Sequence, residues 1–171
     1  MANIPRSVSR TTVDIVYDAC FTGAVGGSLV ALFFLVVDTL NGQPFFTPAL
    51  LGTALFEGGP VESIVDPGLE MMAYYTVVHC TVFLAVGAAL AFLVYEVELH
   101  TRHPILVLLL LFVILEAGFA VAASIFMPGV ISRLGGIQVG AANLLGAGGM
   151  AFFVLSHYHR ALRRSPEEAH V

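Results

Sequence analysis

Residues 104–127 read PILVLLLLFVILEAGFAVAASIFM, an unbroken apolar run in which Glu116 is the one ionisable side chain. A helix rises about 1.5 Å per residue, so about 20 such residues cross roughly 30 Å of hydrocarbon. This stretch is therefore read as a transmembrane helix, and it sets the fold class for the rest of the chain. A carboxylate at its centre costs several kcal/mol unless it is neutral, paired or facing a polar cavity. Glu116 is accordingly the first candidate for a functional group.

The surrounding composition agrees with a bilayer solvent. Of 171 residues, 58% are hydrophobic and 11% charged, and the mean hydropathy is +0.91. Soluble domains carry roughly 25% charged residues. Three further apolar segments of spanning length lie near residues 19–40, 72–95 and 137–158. The expectation is an all-α membrane protein, a four-helix bundle forming one integral membrane domain over residues 1–171. Its outer loop covers residues 41–71 and its tail residues 159–171. The first apolar run is too long for a signal-peptide core and lacks an A-x-A site, so it is expected to remain as the first span.

Within residues 41–71, Pro44, Pro48, Gly52, Gly58, Gly59, Pro60, Pro67 and Gly68 divide the chain into short pieces. Thr47 followed by Pro48 reads as an N-cap with proline in the first turn, predicting a short helix over PALLGTALF at the interface or dipping into the bundle mouth. Asp38, near the end of the first span, is expected to reach interfacial water. The net charge of −5 carries no nucleic-acid signal.

All seven basic residues are arginine. Arg6, Arg10, Arg102, Arg160, Arg163 and Arg164 fall on one side of the predicted topology and Arg133 on the other, which predicts cytoplasmic termini. Tyr17, Tyr95 and Tyr158 at the inner face and Tyr74 and Tyr75 at the outer face fit the two aromatic belts. The arginine-only usage points to a bacterial source, and hence to the bacterial cytoplasmic membrane. Cys20 and Cys80 show no CxxC or secreted disulfide pattern and are read as buried free thiols.

Three predicted spans carry one strongly polar residue each. Counted at 1.5 Å per residue from the outer ends, His79 lies roughly 10 Å deep, Asn143 roughly 9 Å and Glu116 roughly 16 Å. Helical spacing stacks Glu116 with Phe112, Ala120 and Ala123, and Asn143 with Gly136, Gly140, Gly146 and Ala147. His79, Glu116 and Asn143 are thus expected to form an intramembrane polar cluster. Gly23 and Gly27 on the first helix, and Gly136, Gly140 and Gly146 on the fourth, are expected to allow close helix packing. A second constellation pairs His100 and His103 with His157 and His159, at spacings suited to a transition metal.

These features support two functional readings. The first is a non-catalytic accessory or structural subunit of a membrane complex or homo-oligomer, whose partners are lipid, other membrane subunits or copies of itself. The alternative is a redox- or proton-coupled protein using the His79, Glu116 and Asn143 cluster with a metal, haem or quinone. No P-loop, GxSxG, HExxH or CxxCH motif is present, so neither reading starts from a soluble-type active site.

Overall fold

A computed structural model describes residues 12–59, 61–64, 67–95 and 104–164. The chain forms α1 (Thr12–Leu40), α2 (Phe46–Phe56), a 3-10 turn (Val61–Ser63), α3 (Leu69–Tyr95), α4 (Pro104–Phe126), α5 (Val130–Leu134) and α6 (Gly136–Arg164). Among the described residues there is no strand. The four long helices are each long and apolar enough to cross a membrane. The molecule is a multi-pass, all-α bundle with an additional short apolar helix. Spanning structures in lipid must satisfy their backbone internally, and helices do so segment by segment.

The helices do not close into a ring. α1 is central, packing on α3 and on α6, while α4 packs on α6. α3 and α4, consecutive in the chain, do not form a packed helix pair. Small residues on α1 permit this arrangement. A Cβ added at Gly23 would lie 2.5 Å from the Phe83 carbonyl oxygen and 2.9 Å from Leu84 Cα, and one added at Gly87 would lie 2.8 Å from Gly23 Cα. Backbone therefore meets backbone where α1 crosses α3, as small-xxx-small faces allow. On the α6 side, Gly146 faces Val30 and the Gly26 carbonyl, and Gly149 faces Leu29 and Val25.

The two α6 glycines nearest its start behave differently from Gly146. Nothing lies within 4 Å of a Cβ built at Gly140, and Gly136 meets only the Ile131 side chain at 3.9 Å. A glycine face runs the length of a helix, but a crossing engages only part of it. The close approach is confined to the segment around Gly146 and Gly149. Cys20 and Cys80 are exposed on the bundle exterior, correcting the expectation of buried thiols.

α1 ends in a Schellman motif. Gly42 takes φ +76, its N–H bonds the Thr39 carbonyl at 3.0 Å, and Gln43 N–H bonds the Asp38 carbonyl at 2.9 Å. This turn carries the chain back to α2, whose N-cap is Phe45 (φ 69) rather than Thr47. Phe45 has no side-chain cap to offer. Asp38 supplies one from α1 instead, accepting from Thr47 N–H and Thr47 Oγ1, each at 2.7 Å. Asp38 is only 4% exposed, so it is a buried cap rather than an interfacial acid.

α2 is buried over most of its length and packs on α3, where Gly52 meets the Met71 carbonyl. Leu50, Leu51 and Ala54 join Val61, Ala123, Met127 and Val130 in an apolar cluster at the end of the bundle where α4 meets α5. A second cluster, containing Phe83, Leu90, Leu111, Leu115, Met150 and Val154, fills the bundle further along. α6 begins at Gly136, and the turn before it contains α5.

Two outcomes are expected. Gly87→Ala should lower the thermal midpoint in detergent by an amount equivalent to about 1–3 kcal/mol, the usual cost of overpacking, whereas Gly140→Ala should leave it unchanged or slightly raised. Asp38→Ala should accelerate amide hydrogen exchange within residues 46–56 while leaving α6 protected, because it removes a cap worth roughly 1 kcal/mol; uniform exchange across the bundle would contradict that assignment.

Candidate functional site

The intramembrane polar residues resolve into a pair and a separate histidine. Asn143 Nδ2 donates to Glu116 Oε2 at 2.8 Å, linking α6 to α4. Asn143 is 7% exposed and Glu116 half-buried. The carboxyl oxygen accepts this bond whether the acid is ionised or neutral, so the pair fills one of its hydrogen-bonding sites in a medium without water. Depth counting and face analysis place these two groups within reach of each other.

His79 turns the other way. Its Nε2–H donates to the Gly27 carbonyl at 2.9 Å, linking α3 to α1. The ring lies between Tyr75 and Phe83, with centroids 5.9 and 4.7 Å away. Gly27 makes the bond accessible, since a Cβ there would approach Phe83 to 3.2 Å and His79 Nε2 to 3.5 Å. Sequence reasoning missed this partner because a backbone carbonyl leaves no side-chain signature. The available signal was the glycine that bares it.

A third link was also missed. Asp18, 2% exposed, lies 3.1 Å from His157 Nδ1 and joins α1 to the far end of α6. The His157 ring stacks on Phe153 at 4.5 Å. Asp18, Thr22 and Gly26 recur at helical spacing on α1, a small and polar stripe that marks this face as interior. His157 is thereby engaged with a carboxylate. His100 and His103 lie outside the described residues, as does the side chain of His159. Among the described residues, no group of three or more His, Cys, Asp or Glu side chains is placed to hold a metal ion.

His79 and Asn143 share one feature that their separate hydrogen bonds do not reveal. Both line a cleft of about 670 Å3, which the separation of α3 from α4 leaves open. Thr47, Tyr75 and Thr76 also border it, and the rest of its wall is apolar, including Phe34 and Leu35 from α1, Leu51 and Leu55 from α2, Val82 and Phe83 from α3, and Leu115 and Phe119 from α4. Leu32, Val82 and Phe126 belong to this lining and are 50% or more exposed, so the cleft opens sideways toward lipid. Its size falls within the roughly 300–1,000 Å3 typical of small-molecule sites, as does an apolar lining with few polar groups. Among the described residues, no lysine or arginine lines it.

His79→Ala and Glu116→Ala, each of which removes one partner of a hydrogen bond between helices, should lower stability in detergent more than Leu109→Ala, whose side chain is 51% exposed on α4. A double-mutant cycle joining Glu116→Leu and Asn143→Leu should give a coupling of about 0.6–2 kcal/mol. Additive effects would show that the pair contributes no interaction energy. Compared with protein-family models, curated proteins and solved structures, the chain matches none.

Proposed function

We propose that this multi-pass membrane protein is a non-catalytic binding component that takes up a lipophilic small molecule from the bilayer. The observation that carries this reading is the laterally open, apolar cleft between α3 and α4. A bundle without a ligand gains by closing such a space, because unfilled volume forfeits dispersion contacts on every wall. Here α1 and α6 hold the outer two helices apart, and the polar groups on the cleft wall are few and individually positioned.

The arginine distribution supports placing both termini in the cytoplasm of a bacterial inner membrane. In that orientation the cleft lies in the outer half of the bilayer, beneath α2. The accessory-subunit reading remains compatible with a binding role, since a binding component can serve a larger complex. A redox centre built on metal or haem draws no support from the described side chains, which gather no ligand set. A lipophile of the quinone and quinol class, by contrast, has the apolar body that such a cleft suits.

Gly118 offers a direct test. It lines the cleft, and a Cβ built there meets nothing within 4 Å. Gly118→Phe should therefore fill the space without displacing a neighbour. Native mass spectrometry of the wild-type protein, released from its membrane in mild detergent, is expected to show a bound lipophile that the variant lacks. The variant should remain folded, with an unchanged or higher thermal midpoint. Equal adduct patterns in the two proteins, or a colourless ligand-free wild type running as part of a large assembly, would favour the structural-subunit reading instead.

A further inference from the structure

The hydrogen-bonding capacity left over on the cleft wall restricts what can occupy it. Four lining side chains are engaged with the protein: Thr47, Thr76, His79 and Asn143. Thr47 Oγ1 donates to Asp38 at 2.7 Å, Thr76 Oγ1 donates to the Met72 carbonyl at 2.7 Å, and His79 Nε2–H donates to the Gly27 carbonyl at 2.9 Å. Each hydroxyl has one hydrogen, and a neutral imidazole one N–H. These three groups have thus spent their donors inside the fold and retain only acceptor capacity.

The histidine is the decisive case. With Nε2 carrying the proton, Nδ1 is a lone-pair acceptor whose role cannot be exchanged by rotating a hydroxyl. Among the described residues, the side-chain atoms both fully enclosed and without a hydrogen-bond partner are Thr22 Oγ1 and Thr53 Oγ1. Nδ1 of His79 is not sealed in this way, and the residue borders the cleft. Asn143 spends one amide hydrogen on Glu116 and keeps its carbonyl oxygen and a second hydrogen, while Tyr75 keeps a hydroxyl that serves either role. Those two groups accept or donate. Among the described residues, the wall is rich in acceptors and carries no lysine or arginine.

We propose that the occupant is a neutral lipophile whose head donates hydrogen bonds, an alcohol or a phenol, with a hydroxyl received by His79 Nδ1. This rests on reading the cleft as a ligand site. An anionic head would meet no cation and an excess of lone pairs. A head with acceptors alone would leave Nδ1 unpaired in a dry site, where an unmade hydrogen bond is costly. A hydroxyl on an apolar or aromatic body answers both the lining and the acceptor.

Three probes with the same alkyl tail separate these features: an alkyl hydroquinone, the corresponding benzoquinone and the corresponding alkylbenzene. Binding to the purified full chain is measured anaerobically by equilibrium dialysis, each probe referred to its own partition into empty micelles. The hydroquinone is expected to bind about tenfold more tightly than the benzoquinone, a difference on the scale of one unmade hydrogen bond. His79→Phe, which keeps an aromatic ring between Tyr75 and Phe83, should bring that ratio toward one. If this variant does not fold, the wild-type ratio still decides.

Equal or tighter benzoquinone binding that Gly118→Phe abolishes would overturn the donor-head proposal while the cleft remains a ligand site. Failure of all three probes to bind, or binding that Gly118→Phe leaves intact, would overturn both.

Discussion

The close approach of α1 to α3 is the constraint from which the architecture follows. Gly23 and Gly87 bring the two backbones into contact, and a neighbouring face of α1 receives α6 through Gly146 and Gly149. Association in lipid gains little from removing apolar surface, because the surrounding tails are as apolar as the side chains. Packing and hydrogen bonding must supply the preference for one arrangement. By holding both neighbours, α1 sets the spatial order α3, α1, α6, α4. The short connection between α3 and α4 then joins two helices that do not pack as a pair, and the cleft is the space between them.

Hydrogen bonds reinforce this order. Asp18 and His157 join α1 to α6, the Gly27 carbonyl and His79 join α1 to α3, Asp38 and Thr47 join α1 to α2, and Glu116 and Asn143 join α4 to α6. A polar link therefore accompanies each of these packed interfaces. In hydrocarbon a polar group without a partner is expensive, so such links discriminate against register slips as well as adding modest stability. Both ends of α1 carry a buried acid, Asp38 against the expectation that it reaches interfacial water. Asp18 and Asp38 face neighbouring elements, and neither needs to reach water.

Much of the fold was legible because the bilayer imposes a length and an apolarity that few soluble segments meet. The four spans and the short apolar helix follow from that requirement and from the proline and glycine breaks around residues 41–71. Glu116 and Asn143 could be paired from depth and face because both partners are side chains. His79 could not, since its acceptor is main chain. Thr47 carried the composition of an N-cap, yet the chain enters α2 through Phe45 in a left-handed conformation, a tertiary outcome of the preceding Schellman turn and the Asp38 cap. Gly136 and Gly140 share the periodicity of Gly146 but lie beyond the close crossing. Periodicity identifies a face and leaves open how far along the helix a neighbour touches it.

Glu116 illustrates how a half-buried carboxyl group can matter without meeting a ligand. It does not line the cleft, whereas its partner Asn143 does. Accepting one amide hydrogen fixes the plane of the Asn143 carboxamide and thereby the directions of its remaining carbonyl oxygen and hydrogen. The carboxyl is a positioning group in this arrangement, and the bond crosses from α4 to α6, so it also sets the separation of the helices that carry the cleft wall. His79 acts in parallel from the other side: its bond to Gly27 selects the tautomer that leaves Nδ1 as an acceptor. The polar character presented to the cleft is thus decided by hydrogen bonds made away from it, which is why the same bonds that order the helices also determine the chemistry of the space they enclose.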